Sequence, residues 1–287
     1  MNKTIKTLVA LLPLFITSCY NDDTTVTTNP QQDRVVAVNA GITREGNSTT
    51  GSAFANNDKI LITNVTRKDA GLICNSAVFT YDGSSWTSEG TLLWSAGEEN
   101  TFQAVYPSTA SYSSFTVPSD QSDAAKFKSA DWMTCETKVT LNNLTTASSL
   151  DLTFNRKMAM VEVKILYATD VSTLTSLKFE CPSFEGNDYT INSADHKINA
   201  YKTSGTYDAS FSALIPPGTK GETLCELEIT DSDTNTEIKS LKLQNTQTFS
   251  AGKKYIFTCN MPQPSNNAHT RSAAPDNLTL VSVEPIF

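Results

Sequence analysis

The chain is predicted to be all-β: two β-sandwich domains in tandem behind an export signal and a flexible tether. Three features of the sequence carry that expectation. Short runs alternate apolar with polar residues, turn-forming clusters separate them, and the amino-terminal segment differs in character from the rest.

Lys3 and Lys6 supply a short positive region, and residues 8–16 form an almost unbroken apolar stretch. A stretch of that length falls short of the roughly 20 residues that span a bilayer, but it suits the core of a signal peptide. It runs into Ile16-Thr17-Ser18-Cys19, an aliphatic and two small residues before a cysteine, which resembles a lipobox. Residues 1–18 are therefore expected to be removed as a lipoprotein signal peptide. Cys19 is expected to carry the lipid that attaches the chain to a membrane. Residues 19–34 are rich in Thr, Asn, Asp and Gln, and Val26 is nearly their only large aliphatic residue. Such a segment cannot bury enough surface to fold and reads as a flexible tether. Within it, Asn21-Asp22-Asp23 resembles an acidic surface-export signal and Asp23-Thr24-Thr25 an O-glycosylation pattern; a solvated linker accounts for both equally well.

The formal net charge is −8 at pH 7, and two of the lysines lie in the leader, so the remainder is more acidic still. That balance disfavours nucleic acid as a partner, which calls for a basic patch. It also disfavours simple adhesion to anionic lipid. No apolar run near 18 residues follows the signal, so the lipid is the one membrane attachment expected. Besides Cys19 there are Cys74, Cys135, Cys181, Cys225 and Cys259, widely spaced and without a C-x-x-C pair. A zinc site or a thioredoxin-like motif is not expected. Disulfides remain open in an exported protein, alongside the simpler reading of small buried residues in strands.

Strands are expected at Val35-Val36-Ala37-Val38, at Lys59-Ile60-Leu61-Ile62, and over residues 77–81 and 101–106. Further strands are expected over residues 150–154, 160–167, 174–179, 224–229 and 255–259. Val161-Glu162-Val163-Lys164-Ile165 shows the period of two of a half-buried strand. Asp82-Gly83 after Tyr81 marks a hairpin, since glycine readily takes positive φ. The polar stretch 121–128 is compatible with a helical turn. The Thr- and Ser-rich segment around 142–149 divides the body near residue 148, giving an N-terminal domain over 35–148 and a C-terminal domain over 149–287. The latter ends in a Pro-bearing linker and terminal strand, residues 261–287.

Several motifs in order then resemble the fimbrillin family of type V pilins. Ile42-Thr43-Arg44, Phe54 and Asn57-Asp58-Lys59-Ile60 are similar to its opening, and Trp86 and Trp94 follow in successive short strands. Phe102-Gln103-Ala104-Val105-Tyr106-Pro107 resembles its aromatic-Ala-x-Tyr-Pro strand end. Ser129-Ala130-Asp131-Trp132-Met133 resembles its Ser/Ala-Asp-hydrophobic segment. Residues 152–159 resemble its Phe-x-His-x-Met-Ala block, with Arg156 standing at the usual histidine. Ile215-Pro216-Pro217 and Gly252-Lys253-Lys254-Tyr255 resemble its late Pro turn and Gly-Lys-x-Tyr strand start.

The resemblance implies two tandem transthyretin-like sandwiches and a lipoprotein precursor of a shaft, anchor or tip subunit of adhesive fimbriae at the outer membrane and cell surface. It implies that an arginine-directed protease removes the first strand, and that a strand from another fimbrial subunit fills the groove by donor-strand exchange. Val35, Val36, Val38 and Ile42 would belong to the removable strand, bracketed by Arg34 and Arg44. Arg44 is the favoured cut, since the polar, glycine-bearing residues 45–51 that follow suit a protease cleft; Arg34 is the alternative, and a solvated loop arginine the plain reading. Leu278, Leu280, Val281 and Val283 form the candidate donor strand, which alternatively folds back on its own chain. No enzyme, cofactor or metal is expected. Catalysis by Ser/His/Asp or Cys/His needs a base brought to a nucleophile, and the two histidines are His196 in a polar turn and His269 in the linker. The alternative function is a monomeric surface lipoprotein that binds glycans or host ligands, with Trp86, Trp94 or Trp132 stacking on sugar rings.

Overall fold

A computed structural model describes residues 36–42, 54–67, 75–95, 99–140, 149–166, 174–180, 189–191, 196–203, 209–220, 223–230, 237–260 and 279–286. They are almost entirely β. The first half holds β1 (Ala37–Ile42), β2 (Lys59–Asn64), β3 (Ser76–Tyr81), β4 (Trp86–Ser88), β5 (Glu99–Tyr106), β6 (Phe115–Val117), a short helix α1 (Ala124–Ser129), β7 (Met133–Thr140) and β8 (Ser149–Arg156). Seven of these strands make one sheet in the order β1-β8-β7-β5-β2-β3-β4, curled so that its two edge strands approach each other.

Alternation explains which face is inside. In β2, Ile60 and Ile62 point inward; in β8, Leu150, Leu152 and Phe154 do, with polar residues between them. A period of two places every second side chain on one face, so these strands need only one buried side. Trp94 meets Phe102 edge to face, with centroids 4.9 Å apart, and Phe54 meets Phe154 at 5.5 Å. Two asparagines are buried in this core with their polarity satisfied. Asn64 Nδ2 donates to Asn100 Oδ1 (2.8 Å) and to the Leu93 carbonyl (3.1 Å), while Asn100 Oδ1 accepts from the Ser95 amide (2.7 Å). Buried amides cost stability unless paired; paired here, they fix residues 92–95.

The second half holds β9 (Ala159–Leu166), β10 (Leu174–Glu180), β11 (Tyr189–Ile191), β12 (Lys197–Asn199), β13 (Tyr201–Thr203), β14 (Ala209–Ile215), β15 (Gly218–Lys220), β16 (Thr223–Thr230), β17 (Glu237–Gln244), β18 (Gln247–Phe249), β19 (Lys253–Asn260) and β20 (Thr279–Pro285). A four-stranded sheet β12-β10-β16-β17 and a five-stranded sheet β13-β14-β9-β19-β20 share one core. Val161, Val163, Phe211, Phe257, Leu177 and Phe179 are fully buried within it.

The two halves are stitched together. β6 pairs in parallel with β11, and Phe115, Val117, Ala130 and Trp132 join the second core. Gln121 is fully buried; its Nε2 donates to the Leu214 carbonyl and its Oε1 accepts from the Leu214 amide, both at 2.8 Å.

All nine expected strands are present, shifted at most slightly. The first begins at Ala37 rather than Val35 and runs to Ile42. The helical turn is α1, capped by the Asp123 carboxylate accepting from the Lys126 amide, a favoured N-cap. The hairpin after Tyr81 is also found, with Gly83 at φ +97°, but Tyr81 pairs with Trp86, so its loop has four residues. Asp82 builds that loop by accepting from the amides and hydroxyls of Ser84 and Ser85. The Ser85 and Ser84 amides hold its carboxyl well below the usual range. Cys135 and Cys259 are buried free thiols, Cys225 is buried too, and burial pushes Cys259 up to about 11. Cys74 and Cys181 lie outside the described residues.

A charged row crosses the five-stranded sheet. Lys254 Nζ lies 2.7 Å from Glu162 and 3.8 Å from Glu284, and Lys164 lies 3.7 Å from Glu162. Burial alone would raise the Glu162 carboxyl, but the hydrogen bond and charge of Lys254, the Ser210 hydroxyl and Lys164 outweigh it and hold it below its ordinary value. A carboxyl depressed on folding lends stability above its unfolded value and loses it as pH falls through the folded one. Glu162→Gln is therefore expected to flatten the decline of Tm as pH drops below about 4.3, read as the difference between the variant and wild-type curves.

Candidate assembly site

β1 occupies an edge and runs parallel to β8, from Ala37 opposite Ser149 to Ile42 opposite Phe154. Val36 is buried and Val38, Ala40 and Ile42 are half-buried above Leu150, Leu152 and Phe154, while Ala37, Asn39 and Gly41 face outward. On its other flank the backbone bond is from the Val36 amide to the Leu92 carbonyl (2.9 Å), on the loop fixed by the asparagine pair. Outside, Asn39 Nδ2 donates to Asp151 Oδ1 at 3.2 Å.

β8 depends on this partner. Among the described residues its register with β7 is confined to Met133 opposite Arg156 and Thr134 opposite Asn155. Taking β1 away would leave the 149–154 backbone without its ladder and the apolar floor in water. Such an edge is a template for another strand.

The terminal strand β20 also lies on an edge, antiparallel to β19 of its own chain. That is the fold-back arrangement. Leu280 and Ile286 pack against the second core, but Val281 and Val283 are 59 % and 50 % exposed. The strand thus carries apolar surface that its own chain does not use.

The end of β20 is tied down by groups the sequence did not single out together. The Ile286 amide donates to the Gly252 carbonyl (3.0 Å), and Arg156 Nη1 donates to the Ile286 carbonyl (3.1 Å). Arg156 Nε is shared between both carboxylate oxygens of Asp131 at 3.1 Å each. Burial raises the Asp131 carboxyl although the Arg156 charge and hydrogen bond oppose it. Next to this pair, Asp58 Oδ1 receives Lys128 (2.7 Å) and the Tyr106 hydroxyl (3.1 Å), and burial and the Asp58 charge push the Tyr106 phenol above its usual value. Arg156 and Asp131 each stood in a recognisable motif; only their conjunction was missed, since they are 25 positions apart.

Of the other candidates, Trp94 and Trp132 are core residues, and Trp86 is half-buried against Phe54 and Tyr81 on the edge strand β4. His196 is an exposed loop residue at φ +54°. No group of three or more potential metal ligands occurs among the described residues. Cys19, Arg34, Val35, Arg44, His269 and Leu278 lie outside the described residues.

The two cores, the edge strand β1 and the partly exposed terminal strand β20 define an all-β protein with apolar strands on the edges of two sheets. The sequence matches the fimbrillin-like family over residues 43–279, and the chain belongs to that family. A crystal structure of a candidate cell adhesion protein from Bacteroides ovatus superposes with a TM-score of 0.57 at 16% identity, covering 88% of this chain and 98% of that one. Another, from Bacteroides uniformis, gives 0.54 at 16% identity with the same coverage. These likenesses establish the fold. Comparison with curated proteins gives no match.

Proposed function

We propose that this chain is a structural or accessory subunit of adhesive fimbriae, exported as a lipoprotein on Cys19 and assembled at the cell surface by donor-strand exchange. On this reading the chain forms two transthyretin-like sandwiches joined through β6 and β11, the first extending past residue 148 to take in β8. Cleavage after Arg44 releases residues 19–44 with the lipid and with β1. The groove between β8 and the Leu92 loop then accepts the terminal strand of another subunit. Strand addition of this kind draws affinity from main-chain hydrogen bonds and register from alternate side chains seated in pockets.

The observation that carries the reading is the dependence of residues 149–154 on β1 for their ladder. The spare valines of β20 support the donor half, and the family and the adhesion proteins of like fold support the setting. The glycan-binding alternative loses two of its three tryptophans to the core. The test is treatment of purified precursor with an arginine-specific protease. The wild type is expected to form an SDS-resistant ladder on gels, Arg34→Ala to form it too, and Arg44→Ala to stay monomeric. An Arg44→Ala protein that still forms the ladder would move the cut away from Arg44.

A further inference from the structure

The geometry points to Arg156 as a positioning residue that couples the presence of β1 to the docking of β20. Three segments meet at its guanidinium. Arg156 is the last residue of β8, Asp131 lies between α1 and β7, and Ile286 follows β20. The Arg156 side chain is 7 % exposed and that of Asp131 17 %, so both charges are largely withdrawn from water. Guanidinium–carboxylate geometry is directional, and a buried charge stripped of its partner is costly. With one edge of the guanidinium fixed on Asp131, Nη1 is held where the Ile286 carbonyl accepts it.

The rest of the grip on β20 is a six-pair ladder with β19, the Ile286 amide on Gly252 and the packing of Leu280 and Ile286. Its two valines face solvent, Glu284 reaches Lys254 only at 3.8 Å, and its register on β19 is interrupted between Ile256 and Phe257. The charge-assisted bond from Arg156 to Ile286 ties the end of this strand to β8 of the first sheet.

The coupling follows from β8. Its residues 149–154 are laddered to β1, and the last pair of that ladder, Ile42 opposite Phe154, is two residues from Arg156. When β1 leaves, β8 keeps its pairing with β7 at 155 and 156 but loses the neighbour that holds its remaining length straight. The strand carrying the guanidinium is then held at those two pairs alone, which loosens the hold of Nη1 on the Ile286 carbonyl. An intact chain keeps its terminal strand home; a chain that has lost β1 lets it go. That consequence for assembly rests on the donor-strand reading above, whereas the latch itself does not.

Hydrogen–deuterium exchange of the full-length precursor tests both parts. Arg156→Gln is expected to speed exchange over 279–286 by about tenfold, the scale of a lost hydrogen bond to a charged group, while the β9 and β14 core amides stay unchanged. Arg156→Lys should fall between, since it keeps the charge without the fork. Val38→Asp, which puts a charge on the inner face of β1, should speed exchange over 279–286 in the wild type and add little in Arg156→Gln, the signature of coupled sites in a double-mutant cycle. Unchanged exchange over 279–286 in Arg156→Gln overturns the latch, and so does an equal rise across the core. Full additivity with Val38→Asp overturns the coupling. Accelerated exchange without any protease-induced ladder would keep the latch and discard the donor reading; a ladder with no change in exchange would do the reverse.

Discussion

Phe154→Ala is expected to destabilise the precursor by about 3–5 kcal/mol, the usual cost of emptying an aromatic site in a core. Phe154 is fully buried, meets the Phe54 ring edge to face, and stands opposite Ile42 in the β1–β8 register. Its removal takes away both the packing of the first core and the floor beneath the end of β1. Phe154 lies in the first core against Phe54, so a residual cavity adds to the transfer loss. Urea denaturation should show a lower midpoint with an unchanged m value. A midpoint loss worth less than about 1 kcal/mol would mean that the inward face of β8 is not where its alternation puts it. The neighbouring Thr153, on the other face of the strand, provides the control: Thr153→Ala should change stability little.

Val281→Asp is expected to behave in the opposite way, with almost no effect on the folded precursor and a complete effect on assembly. In its own chain Val281 is 59 % exposed, so a carboxylate there remains in water and stability should stay within about 0.5 kcal/mol. In a donor strand seated in the groove the same carboxylate would be forced against Leu150, Leu152 and Phe154. An unpaired charge in such surroundings is prohibitive. Normal urea melting with no SDS-resistant ladder is the predicted pair of results. A ladder of wild-type strength would show that Val281 is not seated in the groove.

The sequence exposed most of the fold, because a half-buried strand writes its burial pattern directly into alternate positions. Leu150, Leu152 and Phe154 could be read that way, and so could Val161, Val163 and Ile165. What stayed hidden were three-residue strands such as β6 and β11, too short to show a period. Their existence depends on a partner 74 residues away, as the Thr116–Thr190 contact does. Gln121 was equally silent, since nothing in its neighbourhood announces that it will cap the backbone of Leu214. The candidate site was legible in part. The first strand and the terminal strand stood out by pattern and by resemblance, whereas the Arg156–Asp131–Ile286 link is a product of tertiary structure. Arg156 was visible as a departure from the family's usual histidine, and the departure now has a physical content: it is the charge that reaches Ile286, just after β20.

The central claim is that β1 is discarded and its place taken by another subunit's strand, and the amino terminus of the assembled protein tests it most directly. Subunits released from surface fibres and sequenced from their amino termini should begin at Glu45, without lipid. Fibre subunits beginning at lipidated Cys19, or at Val35 with β1 still attached, would contradict it.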